Sequence, residues 1–113
     1  MGLTHEFEIK AGNTLPSLST VLLDGYGKPV NLTDAVSVTL SMKLAGHPRT
    51  VVIDEQPAAF SPSPSGAVTY SWGANDTAVP GVYEIEWDVS WGLGLKATFP
   101  SHGFDKVRVG PAI

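Results

Sequence analysis

The chain has 113 residues, with eleven acids against seven Lys and Arg for a net charge of −4, and it has no cysteine. That length supports one domain with a single core and excludes two. The lack of cysteine excludes disulfide staples, thiolate metal sites and a cysteine nucleophile, and the acidic balance argues against nucleic acid, whose phosphates need a positive surface.

Hydrophobic residues make up 42% and charged residues 16%, with twelve glycines and nine prolines. Such a mixture fits a globular, turn-rich chain better than a disordered or helical one. The start, "MGLTHEFEIK", places Glu6 and Glu8 where a signal peptide would be apolar. No apolar run approaches the roughly 20 residues of a membrane-spanning helix. The sequence therefore reads as synthesised in a cytoplasm, without a membrane partner.

The periodicity is two from end to end. "HEFEIK" sets Phe7 and Ile9 against Glu6, Glu8 and Lys10. "SLSTVLLD" offers Leu18, Val21, Leu22 and Leu23, then turns at "DGYGKPV", where Asp24-Gly25 and Gly27 suit a tight turn. "VSVTLSMKL" aligns Val36, Val38, Leu40 and Met42 on one face, and "TVVID" is a short β-branched strand. The proline-rich "EQPAAFSPSPSG" reads as a loop or sheet edge, because proline cannot donate to a ladder. Its Phe60 packs inward on one reading and docks outward on another.

"AVTYSW" lines up Val68, Tyr70 and Trp72, and "GANDTAVPG" is an irregular crossing with room for one helical turn. Next comes the longest alternation, with Tyr83, Ile85, Trp87, Val89 and Trp91 against Glu84, Glu86, Asp88 and Ser90. "GLG" forms a hairpin tip, "LKATF" returns with Leu95, Ala97 and Phe99 aligned, and "FDKVRV" closes the chain after "PSHG". Short strands spaced about 8–12 residues apart indicate an all-β fold. The expectation is one domain over 1–113, an antiparallel two-sheet immunoglobulin-like β-sandwich of seven to eight strands.

Immunoglobulin-like sandwiches often hold a corner with a tyrosine hydroxyl bonded to nearby backbone. Asp76, Pro80, Gly81 and Tyr83 fit such a corner. Reactive constellations are missing. His5, His47 and His102 stand alone, which a metal site does not tolerate, and the acids alternate with core positions as a solvated face does. There is no nucleophile elbow and no phosphate-cradling glycine loop. The sequons "NLT" and "NDT" read as turns. The sequence thus points to no catalytic residue, no cofactor and no metal, and to a protein that is not an enzyme.

Contact with another chain is the remaining signal. Leu93 occupies the hairpin tip between Gly92 and Gly94, where a polar pair is ordinary. Two readings stay open: Leu93 and Trp91 form an apolar contact patch, or Leu93 folds back over Trp91. The candidate interface is Leu3, His5, Phe60, Trp91, Leu93 and Leu95.

The stretches "FEIKAGNTLPSLSTVLLDGYGKPVNLTDAVSVTLSMK", "GAVTYSWGANDTAVPGVYEIEWDVSW" and "FPSHGF" carry a family resemblance. In order they supply Gly12, Thr14 and Pro16, then Asp24, Gly27, Pro29-Val30 and Leu32-Thr33. Gly66, Val68, Tyr70 and Trp72 follow, then Asp76-Thr77, Pro80-Gly81 and Tyr83, and last Phe99-Pro100 and Gly103. From about Phe7 to Val109 the chain resembles the N-terminal domain of siphophage baseplate upper proteins, which are tailed-phage virion components. The resemblance implies a non-enzymatic sandwich module in the virion, present in many copies or as a homo-oligomer. Its partners would be other tail, baseplate or capsid proteins. "GLG" departs from the family's polar hairpin turn, and no coiled coil or host-binding domain follows, which favours a small accessory component. A rival from another class is a carbohydrate-binding module stacking sugars on Trp91 and Tyr26.

Overall fold

A computed structural model describes residues 6–47, 49–99, 101–102 and 106–111. In these residues the alternating side chains become ten strands: β1 (Glu6–Lys10), β2 (Leu18–Leu22), β3 (Ser37–Leu44), β4 (Val51–Pro57), β5 (Ala59–Phe60), β6 (Ala67–Tyr70), β7 (Gly81–Gly92), β8 (Leu95–Phe99), β9 (Ser101–His102) and β10 (Lys106–Gly110). Among the described residues there is no helix. "GANDTAVPG" forms consecutive turns instead.

Two sheets result, and together they make a β-sandwich-like, all-β fold. The larger runs β1–β10–β7–β3–β4, with β8 also on β7; the smaller runs β5–β6–β2–β9. β7 organises the larger sheet. Along one side it pairs with β3 from Tyr83 to Ser90. Its other side is shared, with β10 opposite Gly81 to Glu84 and β8 opposite Trp87 to Gly92.

The register puts the apolar set on one face. Val38 lies opposite Val89, Leu40 opposite Trp87, and Met42 opposite Ile85. All six are buried, as are Ile53, Val107, Val109 and Ile9 of the same sheet. The smaller sheet answers with Leu18, Leu22, Val68 and Tyr70, joined by Trp72, Val30 and Leu32. Each buried aliphatic side chain contributes about 1.5–3 kcal/mol relative to exposure. Trp87 sits at 0% exposure, and its indole N–H finds no partner among the described residues. On the outer face Glu84 lies between Lys43 and Lys106, an alternation of sign that favours this register.

Both edges of the smaller sheet continue from strands of the larger one. β4 runs to Pro57, passes Ala58 and enters β5; β8 passes position 100 and enters β9. Pro57 is the last residue of β4, where its missing N–H suits an edge position, and the chain changes sheet just beyond it.

Four expectations need correction. The described residues form ten strands rather than seven to eight, because β5 and β9 add two-residue pieces to the smaller sheet. The pairing is not antiparallel throughout, because β1 and β10 run parallel, with Phe7 opposite Val107 and Ile9 opposite Val109. Parallel neighbours need a long connection, and nearly the whole domain separates these two. Val36 lies outside β3 and is 67% exposed, although it keeps the parity of Val38. And "TVVID" continues through Pro57 as an edge strand, accommodated by a bulge in which Glu55 takes a φ of 47°.

Candidate functional site

The two ends of β7 are built from opposite chemistry. Where β7 begins, polar groups fasten the loops. The Tyr83 hydroxyl donates to the Val79 carbonyl at 2.7 Å, and burial raises its pKa. At Gly81 a Cβ would stand 3.3 Å from Leu44 Cδ1, so a side chain there would press on its neighbour. Asp76 acts one turn earlier than the corner, apart from Tyr83. Its Oδ2 accepts from the Tyr70 hydroxyl at 2.6 Å and from the Gly73 amide at 2.6 Å. Burial first, and the Asp76 carboxylate second, push the Tyr70 hydroxyl well above the ordinary tyrosine range.

The loop after β1 is held to this end by three further bonds. Trp72 Nε1 donates to the Pro16 carbonyl at 3.0 Å, the Thr77 hydroxyl to the Asn13 carbonyl at 2.7 Å, and the Gly12 amide to the Thr77 carbonyl at 2.9 Å. Thr77 is completely buried. Tyr70 and Trp72 meet edge-on, with centroids 5.5 Å apart. Sequence reasoning placed Thr77 in a turn and missed its burial. Nothing local signals it, because the partner carbonyl lies 64 positions away.

The other end is apolar and open. β7 has twelve residues and outruns the smaller sheet, whose longest strand, β2, has five. Burial along the inner face therefore fails beyond Val89. Trp91 is half-buried, meeting Phe99 edge-on at 6.4 Å, while Leu95 is 62% exposed. Val36 lies beside this lip, its amide on the Ser90 carbonyl at 2.7 Å and its side chain against Gly92.

The hairpin tip completes it. Gly92, Leu93 and Gly94 all take left-handed φ, at 81°, 53° and 77°. Glycine adopts that conformation freely, whereas a residue with a Cβ gives up about 1–2 kcal/mol. Leu93 is also fully exposed, at 101%. A leucine folded back over Trp91 is excluded by that exposure. The turn thus combines a strained backbone position with an apolar side chain held in water.

Leu93, Leu95 and Trp91 of the sequence-derived contact set come together here. Phe60 does not join them; it is half-buried and packs against the core from β5. Leu3 and His5 lie outside the described residues. Tyr26 is 90% exposed on the turn after β2, where Asp24 Oδ1 accepts from the Tyr26 and Lys28 amides. The Lys28 amide and then that of Tyr26 hold the Asp24 carboxyl below its usual range.

No group of three His, Cys, Asp or Glu among the described residues could hold a metal. An open groove of about 400 Å³ runs past Glu8, Lys10, Leu15, Pro16 and Arg108 at the fastened end, with mixed charge. Comparison with known protein families, with curated proteins and with solved structures found no match.

Proposed function

We propose that this chain is a non-enzymatic virion structural module of a bacteriophage, immunoglobulin-like in plan, which docks on tail, baseplate or capsid components through its β7–β8 hairpin. The virion class rests on the ordered series of turn and anchor residues from Gly12 to Phe99 that resembles baseplate upper proteins. The docking site rests on one observation: Leu93 is fully exposed at the tip of a left-handed Gly-Leu-Gly turn. With Trp91, Leu95 and Val36 beside it, the hairpin end is an apolar patch of the kind that marks a partner surface.

The anchor residues of the resemblance serve the fold rather than chemistry. Asp24 accepts from amides in its own turn, Thr33 donates to the Asn31 side chain, and Gly66, Thr77 and Tyr83 fix crossings. A module of this kind acts by surface complementarity. The decisive variant is Leu93→Asp, which keeps the turn because aspartate tolerates left-handed φ. Its isolated fold should match wild type within about 0.5 kcal/mol, as exposed substitutions do. Incorporation into particles should be lost, and normal copy number in purified virions would remove the hairpin from contention. Saturable quenching of tryptophan fluorescence by a host polysaccharide would instead favour sugar binding.

A further inference from the structure

Every other outer strand carries a device against edge-to-edge pairing. β4 is bulged at Glu55, with exposed Asp54 and Glu55 and a terminal proline. β1 presents Glu8 and Lys10 in alternation, while β5 and β9 are two residues long. β8 is the least protected: Leu95–Phe99 is five residues long, without proline or a bulge in its own strand, its single charge is Lys96, and among the described residues it pairs with β7 alone.

We propose that the free edge of β8 pairs with β8 of a second copy of this chain, antiparallel about a two-fold axis at Ala97. This rests on reading the β7–β8 hairpin as the docking element, and it names that element's partner. Of the two-fold registers centred within the strand, this one gives both Leu95 and Lys96 a partner; centring on Thr98 would place Leu95 beyond the end of the facing strand at Phe99. Centred on Ala97, Leu95 meets Phe99 of the second copy, covering a side chain now 62% exposed. Lys96 then meets Thr98 of the second copy, whose hydroxyl already donates to the Asp88 carboxylate. Strands lie about 4.8 Å apart, so the lysine ammonium reaches over that threonine to Asp88, and symmetry repeats the contact. Centring on Lys96 would instead set lysine against lysine, which is destabilising. A one-residue slip would turn the leucine to the charged face. A closed two-fold dimer follows, with the two larger sheets continuous.

The absence of cysteine makes the test clean. A single Ala97→Cys substitution should give a disulfide-linked dimer under mild oxidation, because directly opposed Cβ atoms stand about 4.5–5.5 Å apart. Lys28→Cys, on the turn after β2, serves as the control and should cross-link at least tenfold more slowly. Adding Lys96→Asp to Ala97→Cys should bring the rate down to that control, and adding Asp88→Lys as well should restore it. Equal rates for Ala97→Cys and Lys28→Cys overturn the proposal. If Leu93→Asp still blocks incorporation in that case, the hairpin docks on something other than its own copy. If Ala97→Cys cross-links as expected while Leu93→Asp is incorporated normally, the dimer stands and the virion docking role falls.

Discussion

The three tyrosines make a graded test of how the fastened end is held, since each hydroxyl has a different environment. Replacing Tyr83 by phenylalanine keeps the ring in the core and deletes one bond to the Val79 carbonyl. Tyr83 is 3% exposed, so its hydroxyl has little access to water in place of that bond; Val79 is 65% exposed, so the orphaned carbonyl can be rehydrated. The loss should therefore be the net value of a neutral hydrogen bond, about 1 kcal/mol, without the added penalty of a buried unpaired group. For a domain of this size that is a fall in Tm of about 4 °C. Tyr70→Phe should cost more, about 1.5–3 kcal/mol, because its acceptor is the Asp76 carboxylate. Tyr26→Phe should be neutral within about 0.5 kcal/mol, its side chain being in solvent. Urea titrations and thermal melts of the three variants give the order, with unchanged m values showing that the denatured state is not responsible. A Tyr83→Phe variant that melts with wild type would refute the corner as a stabilising contact. A loss as large as that of Tyr70→Phe would mean that the Val79 carbonyl is sealed from water.

Two predictions concern alkaline pH and the Gly66 crossing. Tyr70 and Tyr83 have folded-state pKa values raised above those of the unfolded chain, so their contribution to stability is complete below about pH 10 and is lost as pH climbs towards the folded values. Tyr70→Phe should flatten that alkaline decline, and phenolate absorbance should show two tyrosines ionising only as the chain unfolds. Gly66→Ala should destabilise by more than about 2 kcal/mol by denaturant titration, because left-handed backbone is added to a clash. Gly66 has a φ of 70°, and a Cβ there would stand 2.8 Å from the Leu22 carbonyl oxygen. A loss under about 1 kcal/mol would show that the crossing of β2 and the Val30 segment can shift.

Strand identity was legible because period two is a local property. Tyr83, Ile85, Trp87 and Val89 fall on the buried side and Glu84 and Glu86 on the wet side, as their alternation requires. Turn chemistry was equally local, since Asp24 and Asn31 bond to amides within four residues of themselves. The candidate site was half legible. A leucine between two glycines marked the hairpin, but both readings of Leu93 were compatible with the sequence, and only its exposure decided between them.

Alternation by itself determined which side of each strand is apolar. It could not say how far the facing sheet reaches. Val36 and Trp91 share the parity of buried Val38 and Val89, and Leu95 that of half-buried Ala97 and Phe99, yet none of the three is buried, for they lie past the last covered position of the long hairpin. Burial depends on what lies across the core, which residues distant in sequence supply, and the same is true of Thr77 on the Asn13 carbonyl and of β1 beside β10. Side-chain parity is written in neighbouring residues; cover is conferred by remote ones, and the tertiary structure alone decided where it ends.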